Sequence, residues 1–439
     1  MSSQTKQRRV VVTGIGVVSP IGIGRENFWA SLDASQSGIG MVESEDRHVA
    51  FHGVGGEIPE FNEKSLKKEY FTEKDQKKSI KVMCREVQMG AAAALMALRD
   101  SGIDMGSIDH SRIGVEYGAN LMYYPPESLA DACKKCNSTD GEFDYREWGG
   151  TGLGAMEPLW MLKYLPNMPA CHIGIFTDSQ GPNNSVTIDE ASAGVAMTEA
   201  LNILERGAAE VMIVGGTGTR LHPVKTLHAR LLDELGYDES NISASCKPFD
   251  RNRNGQVVAE SAGCLILEEE EHALARGATI YGRFLAGASS CVARPDGTAD
   301  TRQAVTNSLN SAMRRGQVQP SDLGHVNAHG LGTVHDDQME AASYREMFGD
   351  HGIPVTSMKG YFGNAGAGTG FLEIAASLVA LNRGVIPQTL NCSEPDDSLG
   401  IQVVSGEHQS TENMLFANVN FTSLGQASTV ILEATPSAS

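Results

Sequence analysis

A turn followed by a helix and a strand, over residues 181–216, constrains the fold of this chain more than any other stretch. Small and apolar residues recur three and four positions apart along its middle, which is the pattern of a largely buried helix. Asp189 and Glu190 stand at the predicted helix start, and Gly207 is a natural stop. A short apolar run, residues 210–216, follows at once. The stretch therefore predicts a capped helix that leads directly into a strand.

The rest of the chain alternates short apolar runs with helical patterns. We predict strands over residues 10–18, 113–118, 210–216, 278–286, 325–328, 355–357, 414–420 and 428–432. We predict helices over residues 26–32, 79–101, 191–207, 268–277, 299–315, 336–347 and 370–382. Because the second half repeats the pattern of the first, the sequence indicates a duplicated α/β protein with largely parallel sheets. Residues 120–154 are predicted to be irregular, and long loops of this kind are usually functional or interfacial.

Composition disfavours several classes of binding partner and predicts where in the cell the protein is found. The chain has 54 acidic and 35 basic residues and a net charge of −19, which disfavours nucleic acid or an acidic membrane as a partner. A local basic patch could still dock an acidic carrier protein. No apolar stretch of about 20 residues is present, so we expect no membrane span. Since the first apolar run, residues 10–18, is too short for a signal sequence, we expect a soluble, cytoplasmic protein.

The sequence predicts neither a metal site nor a cofactor. The eight cysteines are mostly isolated among small or apolar residues, as reduced core thiols are, and the one CxxC pair, Cys133 and Cys136, lacks further ligands for zinc. Residues 250–255 resemble a calcium loop, but arginines occupy intervening positions and the final glutamate is missing. The Gly-x-Gly of residues 14–16 lacks the spacing of a dinucleotide fingerprint, and Pro20 interrupts the expected helix.

Residues 181–216, with Gly-Pro before the helix and Gly-Gly after the strand, resemble the segment of the β-ketoacyl synthases that holds their nucleophilic cysteine. In that family the cysteine opens the helix, where backbone amides and the helix dipole favour a thiolate. The matching residue here is Glu190. The opening strand, residues 8–22, is also similar to that of the family.

Further motifs of the same family follow in the second part of the chain. Residues 246–268 resemble the motif PFDxxRxGFxxGEGAG, with Gln256 in place of the aromatic residue and Ser261 in place of a glycine. His329 matches the first active-site histidine of the motif HGTxT, with Thr333 and Asp337 at family-like positions.

Two later motifs of the family are altered. In the lysine motif Lys359 persists, but the second histidine is replaced by Asn364. The glycine-rich gating loop is matched only by residues 421–426, which retain few glycines. The resemblance implies catalytic positions at Glu190, His329, Lys359 and Asn364, and substrate-binding positions at Thr333, Asn418 and Phe421.

The resemblance covers nearly the whole chain and implies the duplicated, thiolase-like fold with five layers, αβαβα. Its two halves would be residues 1–268 and 269–439. In the family the region matching residues 120–154 builds the dimer contact and the floor of the acyl tunnel.

Ordinary condensation is not expected from this set of residues. The family reaction requires a thiolate to carry the acyl chain, two histidines for decarboxylation and amides for the oxyanion. Glu190 could attack a thioester only by forming a reactive mixed anhydride, and its negative charge would oppose a malonyl carboxylate. Within the family, chain-length-factor subunits of type II polyketide synthases replace the cysteine, commonly by glutamine in a TEQAGG-like setting. Residues 187–194 resemble that segment, with glutamate in place of glutamine.

Three functions are therefore compatible with the sequence. The leading hypothesis is a non-condensing subunit that pairs with a cysteine-bearing ketosynthase and serves an acyl carrier protein in fatty-acid or polyketide assembly. The first alternative is a homodimeric decarboxylase, hydrolase or acyltransferase that uses His329, Lys359 and Glu190 as a general base. The second is a non-catalytic module that binds an acyl chain or a carrier protein.

Overall fold

The computed structural model describes residues 8–43, 50–138 and 140–436. Its strands are β1 (Val10–Ser19), β2 (Gly22–Ile23), β3 (Gly40–Met41), β4 (Val54–Gly55), β5 (Ile113–Ala119), β6 (Asn183–Val186), β7 (Val211–Thr219), β8 (Glu260–Glu269), β9 (Gly282–Cys291), β10 (His325–Ala328), β11 (Pro354–Ser357), β12 (Val385–Ile386), β13 (Gln402–Val403), β14 (Gln409–Ser410), β15 (Leu415–Phe421) and β16 (Gln426–Ala434). Its α-helices are α1 (Arg25–Asp33), α2 (Glu63–Ser65), α3 (Lys74–Ser79), α4 (Arg85–Ser101), α5 (Pro126–Lys135), α6 (Met168–Thr177), α7 (Ser192–Glu205), α8 (Pro223–Leu232), α9 (Glu270–Ala275), α10 (Thr301–Gly316), α11 (Val334–Phe348), α12 (Lys359–Phe362) and α13 (Thr369–Leu381).

The strand order shows the predicted duplication. The main sheet runs β13-β11-β10-β15-β16-β9-β1-β8-β7-β5-β6, with β2 beside β1. The first half contributes β1-β8-β7-β5-β6 and the second contributes β9-β16-β15-β10-β11. When the strands of each set are numbered one to five along the chain, both sets lie in the order 1-5-4-2-3. A short antiparallel pairing of β1 with β9 joins them.

The prediction of largely parallel sheets is wrong for the centre of each half. Strands β1, β8 and β7 pair antiparallel, as do β15, β16 and β9. Among the strands named above, parallel pairing joins β7-β5-β6 and β15-β10-β11-β13. A four-residue turn joins β15 to β16, and so short a connection can only reverse the chain direction.

Helices complete the five layers. Helices α7 and α13 lie between the two half-sheets, α4 and α6 cover the outer face of the first, and α10 and α11 cover the second. All residues of α13 are buried, which is expected of a helix whose residues are mostly apolar on every side, with Glu373 as its one charged residue. Gly16 of β1 allows close approach of α4, since a Cβ at Gly16 would lie 2.0 Å from the carbonyl oxygen of Ala93 in α4. The structure therefore has the predicted αβαβα architecture.

Three local predictions need correction. The long helix begins at Arg85 rather than Ser79, because Met83 and Cys84 are extended. The stretch 120–154 is not wholly irregular, since α5 starts at Pro126, where proline is well suited to the first helical turn. Glu190 lies in a 3-10 turn, Asp189–Ala191, that precedes α7. Among the described residues no helix is both long and apolar enough to cross a membrane.

Candidate active site

Residues 190, 256 and 364, three positions at which the sequence departs from the motifs that it resembles, meet in space. Asn364 follows α12 and pairs through its backbone with the extended segment before β8: its N–H donates to the carbonyl of Val257, 2.8 Å away. This pairing places Asn364 beside Gln256. The turn before α7 brings Glu190 to the same point, and Arg220 arrives from the end of β7. Side chains that are distant in sequence thus share one site.

A hydrogen-bonded group, which we call the Glu190 cluster, consists of Glu190, Arg220, Gln256 and Asn364. The Oε1 atom of Glu190 accepts from Arg220 Nη2 at 2.5 Å and from Asn364 Nδ2 at 2.9 Å. The Oε1 atom of Gln256 accepts from Asn364 Nδ2 at 2.7 Å and from Arg220 Nη1 at 3.4 Å. Residue 190, which the sequence resemblance matches to the family nucleophile, is therefore an ion-paired carboxylate.

The ion pair is largely excluded from water. The side chains of Arg220 and Glu190 are 16% and 7% exposed. Burial by itself would lower the pKa of Arg220, but the carboxylates of Glu190, Asp189 and Asp233 raise it above the ordinary value. Arg220 thus stays charged, and its charge faces Glu190. A carboxylate committed to a cation and an amide in this way is a poor nucleophile.

His329 lies at the end of β10 and is fully buried. Its Nδ1 atom is 3.4 Å from both Lys359 Nζ and Asn420 Nδ2, and the Phe421 ring packs 4.5 Å from the imidazole, centroid to centroid. Its Nε2 atom has no hydrogen-bond partner among the described residues. Burial, then Lys359 and Arg220, lower the pKa of His329 well below its ordinary value, so the imidazole is neutral.

Lys359 and Glu373 form a second buried ion pair next to His329. Lys359 Nζ also donates to the His329 carbonyl oxygen at 2.9 Å. The Oε2 atom of Glu373 accepts from Asn420 at 2.6 Å and from Asn418 at 3.1 Å. These bonds orient the groups around His329, and they place Asn418 against Glu373.

The loop that carries His329 is held by acidic side chains of α11. Glu340 accepts from the backbone N–H groups of His329 and Gly330, each at 2.8 Å. Asp337 accepts from Gly332 N at 3.1 Å. The hydroxyl of Thr333 caps α11 by accepting from the N–H of Asp336 at 3.2 Å. The predicted site residue Thr333 thus supports the loop through a helix cap.

A cleft of about 310 Å³ opens onto the Glu190 cluster. Glu190, Arg220, Gln256 and Phe421 line it. The other predicted site residues, His329, Lys359, Asn364, Thr333 and Asn418, do not line this cleft. His329 packs against Phe421, and Asn364 is bonded to Glu190. The structure therefore brings the predicted residues into one region but leaves only Glu190 and Phe421 at the cleft wall.

Sequence reasoning missed Arg220, Glu373, Glu340 and Asn420. Signals for two of them were present: Glu373 is the one charged residue in the apolar run 369–381, and Arg220 directly follows a buried strand. Within the described part of the chain, no group of three or more His, Cys, Asp or Glu side chains is placed to hold a metal ion.

Solved structures with this fold include a protein described as the ishigamide ketosynthase/chain length factor. The two share 24% identity and a TM-score of 0.83, over 98% of this chain and 100% of that one. A β-ketoacyl synthase from Burkholderia phymatum also has a TM-score of 0.83, at 23% identity, over 98% of this chain and 100% of that one. These similarities identify the fold.

Sequence comparisons identify the family. The model of the β-ketoacyl synthase N-terminal domain matches residues 7–273, and that of the C-terminal domain matches residues 281–393. The oxytetracycline polyketide putative β-ketoacyl synthase 1 of Streptomyces rimosus is 30% identical over 92% of this chain and 92% of its own. The 3-oxoacyl-[acyl-carrier-protein] synthase 2 of Synechocystis sp. is 28% identical over 92% of each chain. This chain therefore belongs to the β-ketoacyl synthase family.

Proposed function

We propose that this chain is a non-condensing member of its family that pairs with a cysteine-bearing ketosynthase, as a chain length factor does, in fatty-acid or polyketide assembly. The observation that carries the proposal is the Glu190 cluster. A carboxylate stands where the family has its thiol, and Arg220 and Asn364 both bond to it. A carboxylate cannot hold a growing acyl chain as a stable thioester, as a cysteine thiol does.

The replacements at the cluster support one another. Asn364 replaces a histidine and Gln256 replaces an aromatic residue, and both supply amide groups that bond within the cluster. If Glu190 alone had changed, its carboxylate would face a histidine and an apolar ring. The matched amides and the Arg220 cation argue for a site maintained without a nucleophile.

The geometry gives less support to a homodimeric enzyme that uses Glu190 and His329. A general base must lie within hydrogen-bond reach of the substrate proton. Glu190 accepts two hydrogen bonds on Oε1, and His329 is fully buried behind Phe421. A substrate in the cleft would meet Glu190 and Phe421 before it reached the imidazole.

The surface near β6 supports a partner-bound role. Strand β6 is the last strand of the main sheet, and α6 packs beside it. The apolar side chain of Ile175, on α6, is exposed to solvent at 72%. An exposed strand edge next to exposed apolar side chains is typical of a protein–protein interface.

The first test is the native mass of the tagged protein isolated from its own host, with identification of its subunits. We expect a one-to-one complex with a ketosynthase that carries a cysteine at the helix start. The purified pair is then supplied with an acyl carrier protein and malonyl groups. We expect product length to depend on this chain. Product length and yield that are the same with and without this chain would contradict the proposal.

A matched pair of variants separates the alternatives. The isolated wild-type chain and Glu190→Cys should both form no condensation product, because a thiol alone does not restore the second histidine. Turnover of malonyl- or acyl-carrier by the isolated wild-type chain that His329→Ala abolishes would favour the homodimeric enzyme instead.

A further inference from the structure

Cys133 and Cys136 form the one Cys-x-x-Cys pair of the sequence, and the proposed function gives them no role. Cys133 lies in the last turn of α5, and Cys136 is the residue that follows this helix. The N–H of Cys136 donates to the carbonyl oxygen of Cys133 at 3.0 Å, so a helical turn joins the two residues. Helix geometry puts their Cα atoms about 5 Å apart, which is within the range that a disulfide spans. Both thiols are free, and they are neighbours on one face of the turn.

The two thiols differ in their access to solvent. Cys133 is half-buried, whereas Cys136 is 0% exposed. Gly152 makes room for the buried thiol, since a Cβ at Gly152 would lie 2.7 Å from Cys136 Sγ and 2.7 Å from the Trp148 ring. Burial first, and then the neighbouring thiol and acidic side chains, raise the pKa of Cys136. A reagent in solution therefore meets Cys133 first, with Cys136 held behind it.

The Cys136 thiol packs under a segment that folds back onto α5. The N–H of Asp144 donates to the Cys136 carbonyl oxygen at 2.8 Å, and Asn137 pairs with Phe143 as an isolated bridge. The Phe143 ring lies 6.2 Å from the Trp148 ring, centroid to centroid. A movement of the Cys136 sulfur is therefore felt directly at Trp148.

We propose that Cys133 and Cys136 are a redox-active dithiol, which a small-molecule disulfide such as oxidised glutathione converts reversibly into an intramolecular disulfide. The Cys133 thiolate attacks one sulfur of the oxidant, forms a mixed disulfide and releases one glutathione thiolate. Cys136 then loses its proton and attacks the Cys133 sulfur, which forms the new disulfide and releases the second glutathione thiolate. The two protons from the cysteines end on the two glutathione thiols. The chain loses two electrons and the oxidant gains them.

Closing this bond changes the packing around the turn. A disulfide needs Cβ atoms about 3.5–4.5 Å apart, whereas side chains three positions apart in a helix have Cβ atoms about 5–6 Å apart. The turn at Cys136 must therefore rearrange, and the sulfur leaves its place beside Trp148 and Gly152. A disulfide under such strain is easily reduced, so the change is reversible.

The experiment incubates the reduced chain with oxidised glutathione at neutral pH, blocks the remaining thiols and maps tryptic peptides without a reductant. Trypsin cleaves after Lys134 and Lys135, between the two cysteines, so a disulfide between them holds residues 113–134 and 136–146 together. We expect these linked peptides from the monomer band of a non-reducing gel, and we expect a dithiol reductant to separate them. Tryptophan fluorescence should shift on oxidation and return on reduction, and Trp148→Phe should abolish the shift.

Two variants test the order of attack. Cys136→Ser should stop at the mixed disulfide, with one glutathione held on Cys133, whereas Cys133→Ser should leave the buried Cys136 unmodified. Cys171→Ser is the control and should leave the linkage unchanged, because Cys171 is half-buried without a cysteine three positions away.

Two results in the wild-type chain would overturn the inference. One is a Cys133 that keeps its glutathione without forming the linked peptides. The other is a pair that stays reduced while the exposed Cys291 reacts. Neither cysteine of the pair lines the cleft at the Glu190 cluster, so these results leave the test of the proposed function unchanged.

Discussion

The guanidinium Nη2 atom of Arg220 lies 2.5 Å from the carboxylate Oε1 atom of Glu190. The sequence resemblance matches Glu190, which lies in the turn before α7, to the family nucleophile, and Arg220 directly follows β7. The contact makes the Glu190 carboxylate part of an ion pair. It also explains how an acidic residue is tolerated at a site that is mostly closed to water.

The contributions of Glu190 and Arg220 to the free energy of unfolding should be strongly coupled. Glu190→Gln removes the nearest carboxylate from the buried Arg220 cation and leaves Asp233 at 3.8 Å, and we expect the free energy of unfolding to fall by about 1–3 kcal/mol. Arg220→Gln should cost a similar amount, and the double variant should cost less than the sum. Urea unfolding of the four proteins measures the coupling. The surface pair Arg302–Glu346 is the control and should show almost no coupling, whereas additive costs at Glu190 and Arg220 would contradict the prediction.

Phe421 should protect His329 from chemical modification. The imidazole is neutral and therefore reactive toward diethyl pyrocarbonate, but it is fully buried behind the Phe421 ring. We expect peptide mapping to find His329 unmodified in the wild-type chain and modified in Phe421→Ala. Phe416→Ala is the matched control, because Phe416 packs on His325 instead. Equal modification of His329 in the two variants would show that general loosening, not loss of the Phe421 ring, exposes it.

Glu116 should make the stability of the chain depend on pH. Its pKa is raised from 4.5 to about 7, by burial first and then by Glu199. Between about pH 4.5 and pH 7, Glu116 is protonated in the native chain but ionised in the unfolded chain. The free energy of unfolding should therefore fall as the pH rises from about 4.5 to 7 and change little from this group above that.

The variant Glu116→Gln tests this pH dependence. It should be more stable than wild type at pH 8 by about 2 kcal/mol and similar to it at pH 4. Denaturant unfolding at both pH values measures the difference. Glu199→Gln should produce a smaller gain, because Glu199 is partly exposed to solvent. A difference that is the same at both pH values would assign the effect to packing rather than to ionisation.

Thr333 should contribute to stability through its hydroxyl group. Thr333→Ala removes the cap of α11 and should lower the free energy of unfolding by about 1 kcal/mol. Thr333→Ser keeps the hydroxyl and should lose less. Thermal unfolding of both variants measures the cost. An equally stable Thr333→Ala protein that binds acyl ligand less well would instead support the substrate-binding role predicted from the sequence.

The sequence predicted the elements on which the site stands because they depend on local patterns. Periodic apolar residues identified the helix after Glu190, and the short apolar run 325–328 placed His329 at a strand end. Strand direction was harder to predict. Alternating strands and helices favour parallel pairing, but the tight turn between β15 and β16 and the long return from β7 to β8 produce antiparallel pairs at the centre.

By itself, the sequence determined that the chain has a duplicated α/β architecture, and its resemblance to the family matched Glu190 and Asn364 to the family cysteine and histidine. Only the tertiary structure decided that these two side chains bond to each other, to Gln256 and to Arg220. The physical reason is that a side-chain hydrogen bond requires donor and acceptor within about 3 Å. Residues as far apart in the chain as 190 and 364 reach that distance only when packing of the layers positions their loops.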